Sequence, residues 1–120
     1  MEEKENLLKN IRGKLEELNI PVYYGIADSS VKDKSEFIVF GRTDINVNQN
    51  ATAHTRHFEV VIVSKDWVAD ELISQVVAKA KEAGLRVSTN TDIGIDYEQK
   101  NDVPYELVSI PFKYVERVDY

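Results

Sequence analysis

Two apolar runs, EFIVFGR at 36–42 and RHFEVVIVSK at 56–65, follow one another with no helical period between them. Strand after strand, with helices set apart rather than alternating, favours an α+β fold with a largely antiparallel sheet. In the second run Phe58, Val60 and Ile62 fall on one face, and His57, Glu59, Val61 and Val63 on the other. In the first run both faces are apolar, Phe37 with Val39 and Ile38 with Phe40. That pattern predicts a central strand covered on both sides.

Two helical periods flank these strands. Leu7, Leu8, Ile11, Leu15 and Leu18 recur at spacings of three and four. Pro21 ends the segment, because Ile20 before it is pushed out of helical geometry. Gly13 inside it costs about 1 kcal/mol against alanine. Val68, Leu72, Val76 and Ala80 form a second stripe, widened by Ala69, Ile73, Val77 and Ala83. Asp66 is the expected cap of this helix, Asp70 and Glu71 suit its positive end, and Gly84 is its expected stop.

The remaining segments read as extended chain. VYYGI is a short strand, LRVST and TDIGIDYEQ are strand-like, and YELVSIPFKYV places Val108, Ile110, Phe112 and Tyr114 on one face. Pro111 lacks an N–H, which predicts a bulge or an edge position. The expected architecture is a single α+β domain over 1–120: a mixed, mainly antiparallel sheet packed with two amphipathic helices, in the order α-β-β-β-α-β-β, with two or three strands after the second helix. ADSSVKDKSE reads as a solvated loop, and the Asn-rich TDINVNQNATA as a long hairpin arm or a loop longer than a tight turn needs.

A chain of 120 residues can bury one core without staples. The absence of cysteine excludes disulfides, thiolate metal sites and cysteine nucleophiles. A net charge of −6 brings no general attraction to phosphate backbones or anionic lipid. No specific nucleic-acid binding and no membrane association are therefore expected. The opening MEEKENLLKN carries charge where a signal peptide has its apolar run, and no stretch approaches the ~18 apolar residues of a membrane span. Asn50, Ala51 and Thr52 form a glycosylation sequon that reads better as a polar turn.

His54 and His57 stand three apart, so a strand covering both sends them to opposite faces, and no third ligand at suitable spacing completes a metal set. Ser29 and Lys32 match a Ser-x-x-Lys spacing, but in a charged loop without partner motifs. Asp92, Asp96 and Glu98 fail the calcium-loop pattern, whose third, sixth and twelfth positions would fall on Gly94, Tyr97 and Val103. Their even spacing suits a strand with one acidic face. Tyr23, Tyr24, Phe37 and Phe40 lack the basic groove of a base-stacking platform and read as core and interface packing. Trp67 either anchors the second helix in the core or forms part of a subunit contact. No catalytic residue, cofactor or metal is expected.

The succession IPVYYGIADSS, EFIVFGRTD, a polar arm, RHFEVVIVSKDW, a helix, TDIGIDYEQ and VPYELVSIPFKYVERV resembles the tail terminator, or tail-completion, proteins of long-tailed bacteriophages and prophages. Related minor proteins of the head–tail junction share the pattern. The resemblance covers most of the chain and rests on element order rather than on a sharp motif. It implies a subunit that is monomeric in solution or a homo-oligomer, and hexameric when assembled. The implied ring sits on the head-proximal end of the tail tube in the virion, contacts the tube protein and the head connector, and is built in the host cytoplasm without catalysis or cofactor. By position, the arm 46–54 and the loop 27–36 are the expected contact elements. The candidate interface residues are Asn46, Asn48, Asn50, Thr52, His54, Lys32 and Trp67. The alternatives are a head–tail connector or minor capsid protein, a small acidic inhibitor-like binding module, and a hydrolase with a site that the sequence does not reveal.

Overall fold

The computed structural model describes residues 2–26, 35–47, 53–88, 92–100 and 102–117, with backbone alone described at 2–6, 46–47, 53 and 116–117. The elements are α1 (Glu2–Glu16), β1 (Val22–Tyr24), β2 (Glu36–Val47), β3 (Ala53–Lys65), α2 (Asp70–Glu82), β4 (Arg86–Val87), β5 (Gly94–Lys100) and β6 (Val103–Arg117). The expected α+β class holds, with three strands after α2.

The sheet runs β1-β2-β3-β6-β4, and β5 also pairs with β6. Among the described residues only β1 and β2 pair in parallel; every other pair is antiparallel. The parity of each strand sorts its residues between two faces. On the helix-covered face, Ile38, Phe40, Phe58, Val60, Ile62, Val108, Ile110 and Phe112 pack with Ile11 and Leu15 of α1 and with Leu72, Val76 and Ala80 of α2. Val68, just before α2, is buried in the same core. Full burial of each such side chain contributes about 1.5–3 kcal/mol, before the entropy of ordering it is subtracted.

The opposite face carries a second, smaller cluster. Phe37, Val63 and Tyr105 are buried there, while Tyr23, Val39, Val61, Val103 and Leu107 are half-covered. β2 is flanked by β1 and β3, as its sequence predicts. The expected cover on both sides is only partly realised: helices lie on one face, and among the described residues the other is closed by its own side chains, including the edge-to-face pair Tyr23–Phe37.

Two local expectations are corrected and a third is narrowed. α1 ends at Glu16 rather than reaching Pro21. Its last turn tightens through Glu17 N–H to Lys14 O and Leu18 N–H to Leu15 O, and Asn19 then turns left-handed at φ 61°. Asp66 does not cap α2. It occupies a left-handed turn at φ 66°, and the N-cap is Ala69, which has no side-chain cap bond. Pro111 makes no bulge, but it does take an edge position locally, in a stretch of β6 that is paired with a strand on one side only. It pairs in register with Glu59 on β3, and its carbonyl accepts from Ser88 N–H at 2.9 Å. A strand residue's N and O point the same way, so the missing donor faces the gap between β4, which ends opposite Phe112, and β5, which begins opposite Ser109. The irregularity lies instead on β2, between Arg42 and Asp44. Beyond it the odd residues Ile45 and Val47 take the helix-side row that Ile38 and Phe40 occupy below it.

Gly84 does terminate the α2 turn, at φ 99°, a conformation that a Cβ would strain. β2, β3 and β6 continue past the helices as a three-stranded arm, so the molecule measures 54 × 27 × 24 Å. A strand of 15 residues such as β6 alone spans about 50 Å. The expected hairpin arm is therefore strand-paired from Asp44 opposite His57 up to Val47 opposite His54.

Candidate assembly surface

The expected interface residues do not converge. Lys32, Asn48, Asn50 and Thr52 lie outside the described residues. Asn46 is opposite Thr55, in the row of the open face of the arm. His54 is half-buried, between Val47 and Glu116 in the helix-side row. His57 falls in the other row, opposite Asp44 and Lys113, so the two histidines face opposite sides of β3. Trp67 lies past the other end of β3, roughly 35 Å from His54 at strand rise. It is 71% exposed, so of its two readings the core anchor is wrong; Val68 makes that anchor.

The structure instead gathers exposed apolar side chains at the two opposite edges of the sheet. One edge is β5, whose residues are all exposed and which, among the described residues, pairs with β6 alone. Ile95 opposes Val108 and Tyr97 opposes Glu106, so Ile93, Ile95 and Tyr97 line the helix side of this edge. They stay open because neither helix reaches over β5: Ile95 is 58% and Tyr97 68% exposed. Asp96 and Glu98 fall in the alternate row with Leu107 and Tyr105, as the even spacing of acids predicts, and Lys100 ends the strand. The Tyr97 hydroxyl donates to the Glu106 carboxylate, which raises the phenol above its ordinary pKa; the nearby negative charge adds to the shift.

At the other edge, β1 pairs only with β2 among the described residues. Tyr24 packs edge-to-face on Phe40 with ring centroids 5.1 Å apart, and its hydroxyl accepts from Arg42 Nε at 3.0 Å. Between this pair and α1 lies a hollow of about 200 Å³ lined by Leu8, Lys9, Arg12, Tyr24 and Phe40. Its apolar floor has a cationic rim. Ile26, at the end of β1, is 86% exposed. Behind Tyr24 and Phe40 a groove of about 440 Å³ runs between Arg42 and Glu59.

The sequence reading missed both edges. The alternation Ile93, Ile95, Tyr97 against Asp92, Asp96, Glu98 was a legible amphipathic strand signal. Nothing in it says that the apolar side lies outside the helix layer. The Tyr24–Phe40 hollow joins residues from three elements and has no local signature.

No three His, Asp or Glu side chains among the described residues are placed to hold a metal ion, and no helix among them is long and apolar enough to cross a membrane. No protein-family model matches the chain, and no curated protein is similar to it at a significant level.

Proposed function

We propose that the chain is a structural assembly subunit of a bacteriophage or prophage: a tail terminator that tiles with copies of itself into a ring on the tail tube, ends tube growth and offers the surface joined to the head. The observation that carries this reading is the pair of opposite sheet edges with exposed large apolar residues, Ile93, Ile95 and Tyr97 at one and Tyr24 and Ile26 at the other. A subunit with two unlike sticky edges suits head-to-tail association, which closes a ring when the rotation allows. The order of elements, and an arm of paired strands standing clear of the helices, agree with the resemblance on which the reading also rests. On this reading the protein acts by shape, without catalysis or cofactor, hexameric on the tube and monomeric or oligomeric in solution. Its partners are the tube protein and the head connector, in the host cytoplasm during assembly and in the virion afterwards. A like-charged inner wall, drawn from a chain of net charge −6, would let DNA pass without adhering.

The decisive experiment is deletion of the gene, followed by electron microscopy of the particles. The expected result is tails of irregular, overgrown length that do not join heads. Tails of uniform length on filled heads would end the proposal.

One observation favours a second reading, an acidic binding module for a basic protein. Asp92, Asp96 and Glu98 are all exposed along β5, where they would steer such a partner. A chain that binds a basic host protein one-to-one and never self-associates would support it.

A further inference from the structure

We infer that the β5 edge of one copy docks on the α1–β1 edge of the next, with Tyr97 seated in the hollow formed by Leu8, Lys9, Arg12, Tyr24 and Phe40. The occupant is a second copy of this chain; the inference deepens the proposed self-assembly and rests on it only in requiring that copies associate.

Three independent features match the two edges. The first is shape. A cavity of about 150 Å³ takes a benzene ring, and the hollow of about 200 Å³ is open beside Arg12, whose guanidinium can lie on an aromatic face. Tyr97 is the most exposed aromatic side chain on the opposite edge. The second is charge. Lys9 and Arg12 line the hollow and Arg42 bonds the Tyr24 hydroxyl beside it, while along the sequence of α1 Glu5 stands one turn before Lys9 and Glu16 one turn after Arg12. Asp96 and Glu98 alternate with Ile95 and Tyr97 and lie on the other face of the same edge strand, with Asp92 before the strand and Lys100 at its end. The third is position. The apolar row of β5 and the hollow are both on the helix side of the sheet, at its two ends in the order β1-β2-β3-β6 with β5 beyond. Copies placed side by side, helix layers in line, bring these two surfaces together without inverting a subunit. Two β5 edges meeting each other would oppose acid to acid.

The chain has no cysteine, so introduced thiols report contacts without background. The experiment uses the full chain with Ile95→Cys and Lys9→Cys, singly, mixed and combined, treated with a mild oxidant and separately with a short bis-maleimide. Trapping captures transient encounters, so it reads the contact even where most of the protein is monomeric. The expected result is a covalent dimer from the mixed single variants and a ladder from the double variant. Arg12→Glu should reduce trapping about tenfold, and Asp96→Arg with Glu98→Arg in the partner copy should restore it. Circular dichroism of each variant confirms folding before trapping is scored. Dimers from Ile95→Cys alone, trapping indifferent to both charge reversals, or no cross-link at millimolar protein would each overturn the inference. Its failure is separable from that of the assembly reading. Oligomers that form without this cross-link leave a tail role standing through another surface. A ladder together with tails of normal length after gene deletion keeps this contact and removes the tail role.

Discussion

The backbone N–H of Val68 donates to Glu106 Oε1 at 2.7 Å, across 38 residues of sequence. α2 begins two residues later with no side-chain cap at Ala69. A carboxylate on the central strand β6 thus holds the chain entering the helix, where a local Ser, Asp or Asn would ordinarily serve. The same carboxylate accepts from the Tyr97 hydroxyl, which ties the entry of α2 to the exposed edge strand β5.

Glu106→Ala should therefore destabilise the fold by about 1–2 kcal/mol, the cost of leaving a half-buried donor unpaired. Urea unfolding measures it. Glu106→Gln retains an acceptor and should cost less. In either variant the Tyr97 phenol, followed by NMR against pH, should titrate at a lower pH than in the parent chain. An unchanged Tyr97 midpoint would show that the two residues are not coupled.

Phe112 lies at the middle of the helix-side core with no exposed surface. Phe112→Ala should cost about 3–5 kcal/mol through lost burial and the cavity left behind. Val115, three residues on and half-exposed on the other face, should tolerate alanine within about 0.5 kcal/mol. Similar losses at the two positions would mean that the parity assigned to β6 is wrong.

Lys79 of α2 reaches Glu17, just past α1, at 2.7 Å, and both Lys79 and Lys14 also approach Glu82. The hydrogen bond from Lys79 is the main reason that the Glu17 carboxyl is lowered from 4.5, and the bond to Glu17 is the main reason that Lys79 is raised from 10.5. A lowered carboxyl contributes stability above its unfolded pKa and loses it as pH falls through the folded value. A raised amine contributes below its unfolded pKa and loses it as pH rises through the folded value. The pair thus supports the helix contact between those limits. It lies at the surface, so the effect is small and screened by salt. Lys79→Met should lower the thermal midpoint slightly at neutral pH and low salt. The difference from the parent should shrink as pH falls below 4.5. A gap that persists in strong acid would assign the loss to packing of the lysine stem.

Asn46 and His54 stand at the end of the paired arm, beyond the helix-covered core. Removing 46–53 and rejoining the strands should leave the thermal midpoint within a few degrees, because the described core residues all lie outside that segment. On the proposed function it should reduce the yield of joined virions by an order of magnitude or more. Full yield from the shortened chain would show that the arm has no role in assembly.

The amphipathic periods by themselves determined the class of fold, the face of each helix and the buried rows of β2, β3 and β6. Those depend on local spacing, and 3.6-residue and two-residue periods are legible one segment at a time. Tertiary structure alone decided the capping of α2, the tolerance of Pro111 and the side of the arm on which Ile45 and Val47 lie. Each depends on a partner far along the chain, on a gap between two edge strands, or on one extra residue that flips parity. It also decided which apolar residues stay uncovered. Ile95 and Val108 look alike in sequence; one is exposed and one buried because the helix layer ends between their strands. The extent of that layer is a property of the packed molecule, and the candidate assembly surface follows from it.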